Sequence, residues 1–141
     1  IDLVARFGIE PKVALLSHSN FGTSNTASAK KVREASELLR NKHPDLQLDG
    51  EMHVLSALNP MLRDTVYAQA NLQGRANVLV MPNLDSANIA MGLIRSLTDA
   101  LLIGPFITGF SKPAHIVIPS VSSRGIFNMT ALTVADIHAG R

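Results

Sequence analysis

The segment 77–112 combines a strand pattern with a helix pattern. Residues 77–81 (NVLVM) lack polar alternation, which is typical of a parallel strand covered on both faces. Pro82 ends this strand, and the following residues offer capping oxygens for a helix: Asn83, Asp85 and Ser86. Apolar residues at helical spacing predict that this helix packs on the sheet: Ile89, Leu93 and Leu97. A further strand is predicted from two apolar runs, 100–103 and 106–107.

The rest of the chain continues this alternation of strands and helices. Further strands are predicted at 13–16, 46–50 and 115–118, and the alternating pattern of the second favours an edge strand. Further helices are predicted at 2–7, 27–42, 51–58, 60–68 and, after a loop at 119–123, at 124–138. The inward positions of the last helix are predicted to be Ile126, Met129, Val134 and Ile137. This order predicts an α/β fold with three layers, α/β/α, and a mainly parallel sheet.

The composition limits the classes of function. With 141 residues, 46% of them apolar and 17% charged, the chain is long enough for one domain with a sizeable core. A net charge of +2, without a basic face that carries interleaved aromatic residues, argues against nucleic-acid binding. The chain has no cysteine, which excludes thiolate chemistry and fits a cytoplasmic protein. The longest apolar stretch, around 100–110, is short for a membrane span. Because the chain begins at Ile1 inside a helical pattern, we expect it to be part of a longer protein.

The loop 17–26, SHSNFGTSNT, is the main candidate for a ligand site. It lies between a predicted strand and a predicted helix, so its N–H groups and hydroxyls can hold a phosphate at the carboxyl edge of the sheet. The loop contains neither a Gly-Lys-Ser/Thr sequence nor a Gly-x-Gly-x-x-Gly sequence. A polar loop that only caps its helix is therefore an equally good interpretation. His18 is interpreted as a loop histidine, because no base or oxyanion site accompanies it in the sequence.

Other polar residues carry weaker signals. The histidines form no HxxxH or HExxH pair, so no metal site is predicted from residues 18, 43, 53, 115 and 138. Three acidic residues that lie close in sequence are interpreted as a solvated turn: Asp45, Asp49 and Glu51. Lys112 and Arg124 flank the last predicted strand and loop, where their charges can neutralise a phosphate.

Several strings give a more specific signal than these single residues. They are PKVALLSHSNFG, KVREA, DLQLDGEMH, ALNP, GRANVLVMPNLDSANIA, IGPFITGFSKPAH and GIFNMTALTVAD. Together they span essentially the whole chain in order and resemble the phosphate acetyl/butyryl-transferase family. The strings SHSNFG, DGEMH with ALNPMLRD, and IPSV are most similar to the phosphotransacetylase-like C-terminal domains of bacterial NADP-dependent malic enzymes.

This resemblance implies the C-terminal portion of a two-subdomain phosphotransacetylase-like fold. Residues 1–110 are expected to lie mostly in the second subdomain and residues 111–141 to return to the first. The family's CoA cleft lies between the subdomains, and its expected contacts with acetyl-CoA or phosphate are Ser19, Asn20, Asn88, Lys112, Ser123, Arg124 and Asn128. For the longer protein, the resemblance implies oxidative decarboxylation of malate to pyruvate. NADP and a divalent metal would then be bound by N-terminal malic enzyme domains of the same polypeptide, and no cofactor is expected within this chain.

One departure from the family pattern bears on catalysis. Active phosphotransacetylases resembling this chain carry Ser-Arg-Gly ahead of the last helix, then an Asp before Ile-Val-Asn. Alignment on Asn128 puts Ile118 and Pro119 at the Ser-Arg positions and Gly125 at the Asp position. These residues cannot stabilise an oxyanion or accept a proton. The Ser-Arg-Gly string at 123–125 lies five residues too late, so it is interpreted as a coincidence or a shifted anion contact.

Three functions are consistent with the resemblance. The first is a non-catalytic domain that binds acetyl-CoA, regulates a malic enzyme allosterically and contributes to oligomerisation. The alternative is an active phosphate acetyltransferase that converts acetyl-CoA and phosphate to acetyl phosphate and CoA. The third is a scaffold that joins the subunits of a homo-oligomer through the helices at 86–97 and 124–138. The loss of the phosphate-holding residues favours the first.

Overall fold

The structure is a computed structural model that describes residues 1–119 and 121–138. Its elements are α1 (Asp2–Ala5), β1 (Lys12–Leu16), α2 (Ala27–Lys42), β2 (Gln47–Met52), α3 (Val54–Leu58), α4 (Pro60–Val66), β3 (Val78–Val80), α5 (Leu84–Leu97) and α6 (Ser123–His138). They form two compact units, 1–90 and 91–141, each of which is described by itself. Ser120, part of the predicted loop 119–123, lies outside the described residues. No helix in the described ranges has the length and apolar character needed to cross a membrane.

The first unit is built around β1, the middle strand of a three-stranded parallel sheet. The described strands follow the order β2-β1-β3. One face of the sheet packs against α2 through Val13, Leu15, Val32 and Leu48. The other face packs against α3 and the segment before β3 through Ala14, Leu16, Met52, Ala57, Leu72 and Ala76. Successive residues of β1 therefore enter different cores, and the predicted α/β fold with a parallel sheet is confirmed.

A β-bulge interrupts the pairing of β2 with β1. Gly50 and Met52 face consecutive residues of β1, so Glu51 is an extra residue in β2. In a regular strand, Leu48 and Met52 share a face because side chains alternate. Here they lie in different cores, because the extra residue shifts the alternation by one.

The sequence predictions for residues 45–58 are partly wrong. Residues 47–52 form a strand at the edge of the described sheet, as expected, but the strand continues through Glu51 and Met52, where a helix was predicted. The helix α3 begins only at Val54. Asp49 and Glu51 are 1% and 0% exposed, so they do not belong to a solvated turn. Both carboxylates accept hydrogen bonds from within the protein, which a charge pattern in the sequence does not reveal.

The predictions of packing around β3 are also corrected. β3 was expected to be covered on both faces, but it lies at the edge of the described sheet and Val80 is 43% exposed. The apolar residues predicted to seat α5 on the sheet are all exposed: Ile89, Leu93 and Leu97. None of the side chains described in α5 is buried. A subunit contact through this helix stays a prediction.

The second unit contains α6 but lacks the predicted strands. The residues described at 100–107 and 115–118 adopt irregular structure. A strand needs a neighbouring strand to supply its hydrogen bonds, and no such pairing involves these segments in the described part of the chain. The helix prediction at 124–138 is confirmed to within one residue. Of its predicted inward positions, only Met129 is buried, while Ile126, Val134 and Ile137 are exposed.

Gly50 is required by the close approach of β1 and β2 next to the bulge. Its φ is +153°, and a Cβ atom there would lie 2.7 Å from both Leu15 Cβ and Leu15 O. We expect Gly50→Ala to lower the free energy of unfolding by about 1–3 kcal/mol, because the strands must separate to admit the methyl group. Urea unfolding of the full-length protein measures this change. The control is Gly92→Ala, since Gly92 lies within α5 with no atom within 4 Å of an added Cβ; an equal loss in both variants would contradict the steric explanation.

Candidate functional site

An open cleft lies at the carboxyl ends of β1 and β3, entirely within the first unit. Its volume is about 420 Å³. Its lining comes from the segments that leave the two strands and from the helices that follow, and consists of Leu16, Ser17, His18, Ser28, Val54, Met81, Pro82, Asn83, Ser86 and Ala90. We call this cavity the β1/β3 cleft. Its lining combines apolar side chains with hydroxyl, amide and imidazole groups.

The order of the strands explains why a cleft forms at this point. From β1 the chain continues through α2 to β2 on one side, whereas β3 lies on the other side of β1. The connections that leave β1 and β3 therefore diverge above the sheet. A crevice at such a switch point is the usual ligand site of an open α/β fold.

Two helix N-termini carry polar groups to the cleft. At the start of α2, Thr26 Oγ1 accepts a hydrogen bond from Ala29 N at 3.4 Å. At the start of α5, Asn83 Oδ1 accepts hydrogen bonds from Ser86 N and Ser86 Oγ, both at 2.8 Å. Lys31 Nζ, on α2, donates to Pro82 O at 2.6 Å and links that helix to the end of β3. The positive dipole ends of the two helices favour an anionic group in this cleft.

The loop 17–26 is held by the buried carboxylate of Glu51. Ser19 Oγ donates to Glu51 Oε1 at 2.7 Å, and Gly22 N donates to the same oxygen at 2.9 Å. Arg33 donates from Nε to Oε2 at 2.9 Å and from Nη2 to Oε1 at 2.8 Å. Glu51 thus joins the loop, strand β2 and helix α2 through one side chain.

Burial by itself would raise the pKa of Glu51. The hydrogen bonds from Arg33, Ser19 and Gly22 N outweigh this effect and lower the pKa to about 2. Glu51 is therefore ionised at neutral pH. A charge-assisted network of this kind is stronger than neutral hydrogen bonds and fixes the geometry of the groups that donate to it.

Further hydrogen bonds tie the same loop to the start of α3. His53 Nε2 donates to His18 O at 2.7 Å, and His53 N donates to Asn20 Oδ1 at 2.7 Å. Ser56 Oγ also donates to Asn20 Oδ1, at 3.2 Å. The ring of His18 lies with Nε2 3.3 Å from Ser24 Oγ and 3.2 Å from Thr26 Oγ1. The loop is thus tied to the start of α3 at His18 and Asn20, at and directly after the residues of the loop that line the cleft.

The structure places the first three predicted ligand contacts in the first unit. Ser19 is 0% exposed and its hydroxyl bonds Glu51. Asn20 is partly buried and accepts the two bonds from the start of α3. Asn88 is exposed on α5, two residues beyond the cleft residue Ser86. Ser19 and Asn20 are adjacent to the cleft residues Ser17 and His18 in the same loop, and their contact with a ligand stays a prediction.

The other four predicted contacts lie in the second unit. Lys112 is exposed in an irregular segment, Ser123 and Arg124 are exposed in the first turn of α6, and Asn128 is partly buried on the same helix. Asn128 Nδ2 is a buried donor without a partner in the described structure. Ligand contact by these residues also stays a prediction.

Gly125 occupies a position with no room for a side chain. The start of α6 is capped by Ser122, whose Oγ accepts a hydrogen bond from Gly125 N at 3.1 Å. A Cβ atom at Gly125 would lie 2.6 Å from Val121 Cγ2. The Ser-Arg-Gly string at 123–125 is therefore part of a helix start, and the position aligned with the family's Asp does not admit a carboxylate without movement of Val121.

Sequence reasoning missed several residues that shape the site. Glu51 was interpreted as part of a solvated turn and Arg33 was not predicted as a site residue, because a pair separated by eighteen positions leaves no local pattern. Ser86 lines the cleft but was predicted only as a helix-capping residue, and Ser28 lines it but was not singled out from the sequence. The sequence feature that could have identified both serines is their position near the start of a helix that follows a parallel strand.

Comparisons with known proteins agree on a single family. Residues 1–134 match the family described as phosphate acetyl/butaryl transferase. The chain is 51% identical over 133 residues to an NAD-dependent malic enzyme of Rhizobium meliloti, covering 94% of this chain and 17% of that protein. It is 50% identical over 136 residues to an NADP-dependent malic enzyme of Salmonella typhimurium, covering 96% of this chain and 18% of that protein. The EutD phosphotransacetylase from Staphylococcus aureus superposes with a TM-score of 0.88 at 30% identity, over 96% of this chain and 42% of that chain.

Proposed function

This chain belongs to the phosphate acetyl/butaryl transferase family, and from that membership we propose that it is a non-catalytic, acetyl-CoA-binding regulatory domain of a malic enzyme. The observation that carries the proposal is the β1/β3 cleft, whose lining combines two helix N-termini and a pre-organised polar loop with apolar side chains. Such a cleft offers favourable surroundings both for phosphate groups and for the apolar part of a thioester ligand.

The context of the relatives supports the link to a malic enzyme. The chain spans less than a fifth of the length of the malic enzymes it matches, at 17% and 18%. We assign malate oxidation, its nicotinamide cofactor and its divalent metal to polypeptide outside this chain. The relatives named above include one NAD-dependent and one NADP-dependent enzyme. We therefore assign the preference for NADP over NAD to the part of the protein outside this chain.

The absence of transferase chemistry is supported by the residues at three positions. Ile118 and Pro119 stand where the resemblance expects Ser-Arg, and neither side chain can bind an attacking phosphate. Gly125 stands at the Asp position, and the 2.6 Å contact of an added Cβ with Val121 Cγ2 shows that the local packing suits glycine. Binding without turnover is then the activity that the remaining groups can perform.

Regulation would arise from preferential binding. If acetyl-CoA binds one quaternary state of the full-length protein more tightly than another, it shifts the population toward that state. The same coupling free energy then changes malate binding or turnover at the distant site. The cleft needs no catalytic group for this role, only a difference in affinity between the two states.

A variant that fills the cleft tests the proposal. Ser86→Tyr places an aromatic ring among the lining residues, so we expect it to weaken acetyl-CoA binding to the full-length protein at least about tenfold. Ser96→Tyr makes the same change on an exposed site of α5 outside the cleft and is expected to bind normally. Calorimetric titration with acetyl-CoA measures affinity, and the rate of malate oxidation with and without acetyl-CoA measures regulation. Unchanged binding by Ser86→Tyr would place the ligand elsewhere.

A further inference from the structure

We infer that Glu51 is the positioning residue of the loop 17–26, and that the β-bulge in β2 turns its carboxylate toward that loop. Glu51 does not line the β1/β3 cleft; Ser17 and His18 of the loop do. Its role is therefore indirect. It holds the loop in the conformation in which those two residues face the ligand.

The bulge explains the direction of the Glu51 side chain. Asp49, two residues earlier, accepts a hydrogen bond from Leu72 N at 2.7 Å, and Leu72 belongs to the core on the α3 side of the sheet. In a regular strand Glu51 would point to the same side. Because Glu51 is the extra residue of the bulge, its carboxylate instead bonds the loop after β1 through Ser19 and Gly22. Both carboxylates also lie near an arginine of α2, but the described hydrogen bonds of Asp49 include none to that loop. Bulges often re-aim a side chain in this way beside a functional site.

The loop adopts a conformation that needs such support. Phe21 has a φ of +44°, which is uncommon for a bulky residue. Its N–H donates to Glu51 O at 2.8 Å, and its ring stacks on Tyr67 with centroids 4.3 Å apart. Gly22, the next residue, donates to the Glu51 carboxylate. Both the main chain and the side chain of Glu51 thus stabilise the turn, and strained conformations persist only where several contacts determine them.

Asp49 provides a matched comparison on the same strand. Both carboxylates are fully buried and each is paired with an arginine of α2, Arg33 for Glu51 and Arg40 for Asp49. Asp49, however, holds the segment around Leu72, which takes no part in the cleft. A purely structural role would make the two carboxylates equivalent for ligand binding, whereas a positioning role makes only Glu51 matter.

The experiment compares Glu51→Gln with Asp49→Asn in the full-length protein. Hydrogen exchange of backbone amides is expected to rise at residues 21–24 in Glu51→Gln and around residue 72 in Asp49→Asn. Acetyl-CoA affinity, measured by calorimetry, is expected to fall at least about tenfold in Glu51→Gln, since a charge-assisted anchor of the loop is lost. It is expected to stay within about twofold of the original in Asp49→Asn. The milder Arg33→Lys serves if Glu51→Gln does not fold, and should show the same pattern with smaller changes.

Each outcome decides the inference. Equal losses of affinity in the two carboxylate variants, or unchanged exchange at 21–24 in Glu51→Gln, would overturn it. The expected change in acetyl-CoA affinity rests on the proposed function, but the expected change in hydrogen exchange does not. If the unaltered protein shows no binding, the proposed function fails, and the selective rise in loop exchange alone supports or rejects the role of Glu51.

Discussion

Acidification from neutral pH to about pH 2 is expected to lower the free energy of unfolding of the unaltered protein by about 3 kcal/mol more than that of Glu51→Gln. The folded-state pKa of Glu51 is lowered from 4.5 to about 2, and each unit corresponds to about 1.4 kcal/mol. A carboxyl whose pKa is lower in the folded state stabilises the fold above its unfolded pKa. That stabilisation is lost as the pH falls through the folded pKa, and about 2 kcal/mol of it should be gone by pH 3.

Urea unfolding at a series of pH values measures this difference. Asp49 acts in the opposite direction, because burial raises its pKa despite the bonds from Leu72 and Asn71. The ionisation of Asp49 therefore destabilises the fold as the pH rises above its ordinary pKa. Because the two carboxylates act in opposite directions, the contribution of Glu51 is measured by comparing the variant with the original protein, and not from the pH profile of the original protein alone. Glu34→Gln, which changes an exposed glutamate of α2, is the control and should follow the original protein. Parallel pH profiles for Glu51→Gln and the original would show that the ion pair contributes nothing.

Replacing Arg63 by Met is expected to lower the free energy of unfolding by about 3 kcal/mol or more. Arg63 is 1% exposed, and its Nη2 donates to Leu72 O at 2.8 Å and to Gly74 O at 2.9 Å. Hydrogen bonds to charged groups contribute about 1.5–3 kcal/mol each, and the abandoned carbonyls would have no other donor nearby among the described contacts. The charge of Arg63 also lowers the pKa of Asp49, so its loss further disfavours that buried carboxylate.

The control for this substitution is Arg75→Met, because Arg75 is exposed at the end of the same segment. Its replacement should change the unfolding free energy by less than about 0.5 kcal/mol. Hydrogen exchange at residues 72–74 should rise in Arg63→Met only. A loss below 1 kcal/mol in Arg63→Met would mean that methionine packing replaces the guanidinium, which is the known outcome at some buried charges.

The parts of the fold that depend on local patterns could be predicted from the sequence. The helix at 27–42 has a helical apolar stripe and a Thr26 cap, and it is found at those bounds. The strand at 13–16 is a short apolar run between turn residues, and β1 adds one residue to it. The loop 17–26 was recognised because polar residues between a strand and a helix mark the carboxyl edge of a sheet.

The parts that depend on distant partners could not be predicted. Residues 100–107 and 115–118 have strand-like sequences, but strand formation requires a hydrogen-bonding neighbour that the described residues do not supply. Glu51 looked like a solvated residue because its partners, Ser19 and Arg33, lie 32 and 18 positions away. Ser28 and Ser86 line the same cleft only because β1 and β3 are paired, and that pairing cannot be predicted from a single sequence.

Calorimetric titration of acetyl-CoA into the full-length protein in phosphate buffer tests whether the domain binds acetyl-CoA without turning it over. Phosphate is the second substrate of a transferase, so one experiment reports both binding and turnover. We expect a saturating binding isotherm with no heat flow that continues after each injection. Two results would contradict it: the absence of saturable heat, or sustained heat that requires phosphate and is accompanied by release of free thiol.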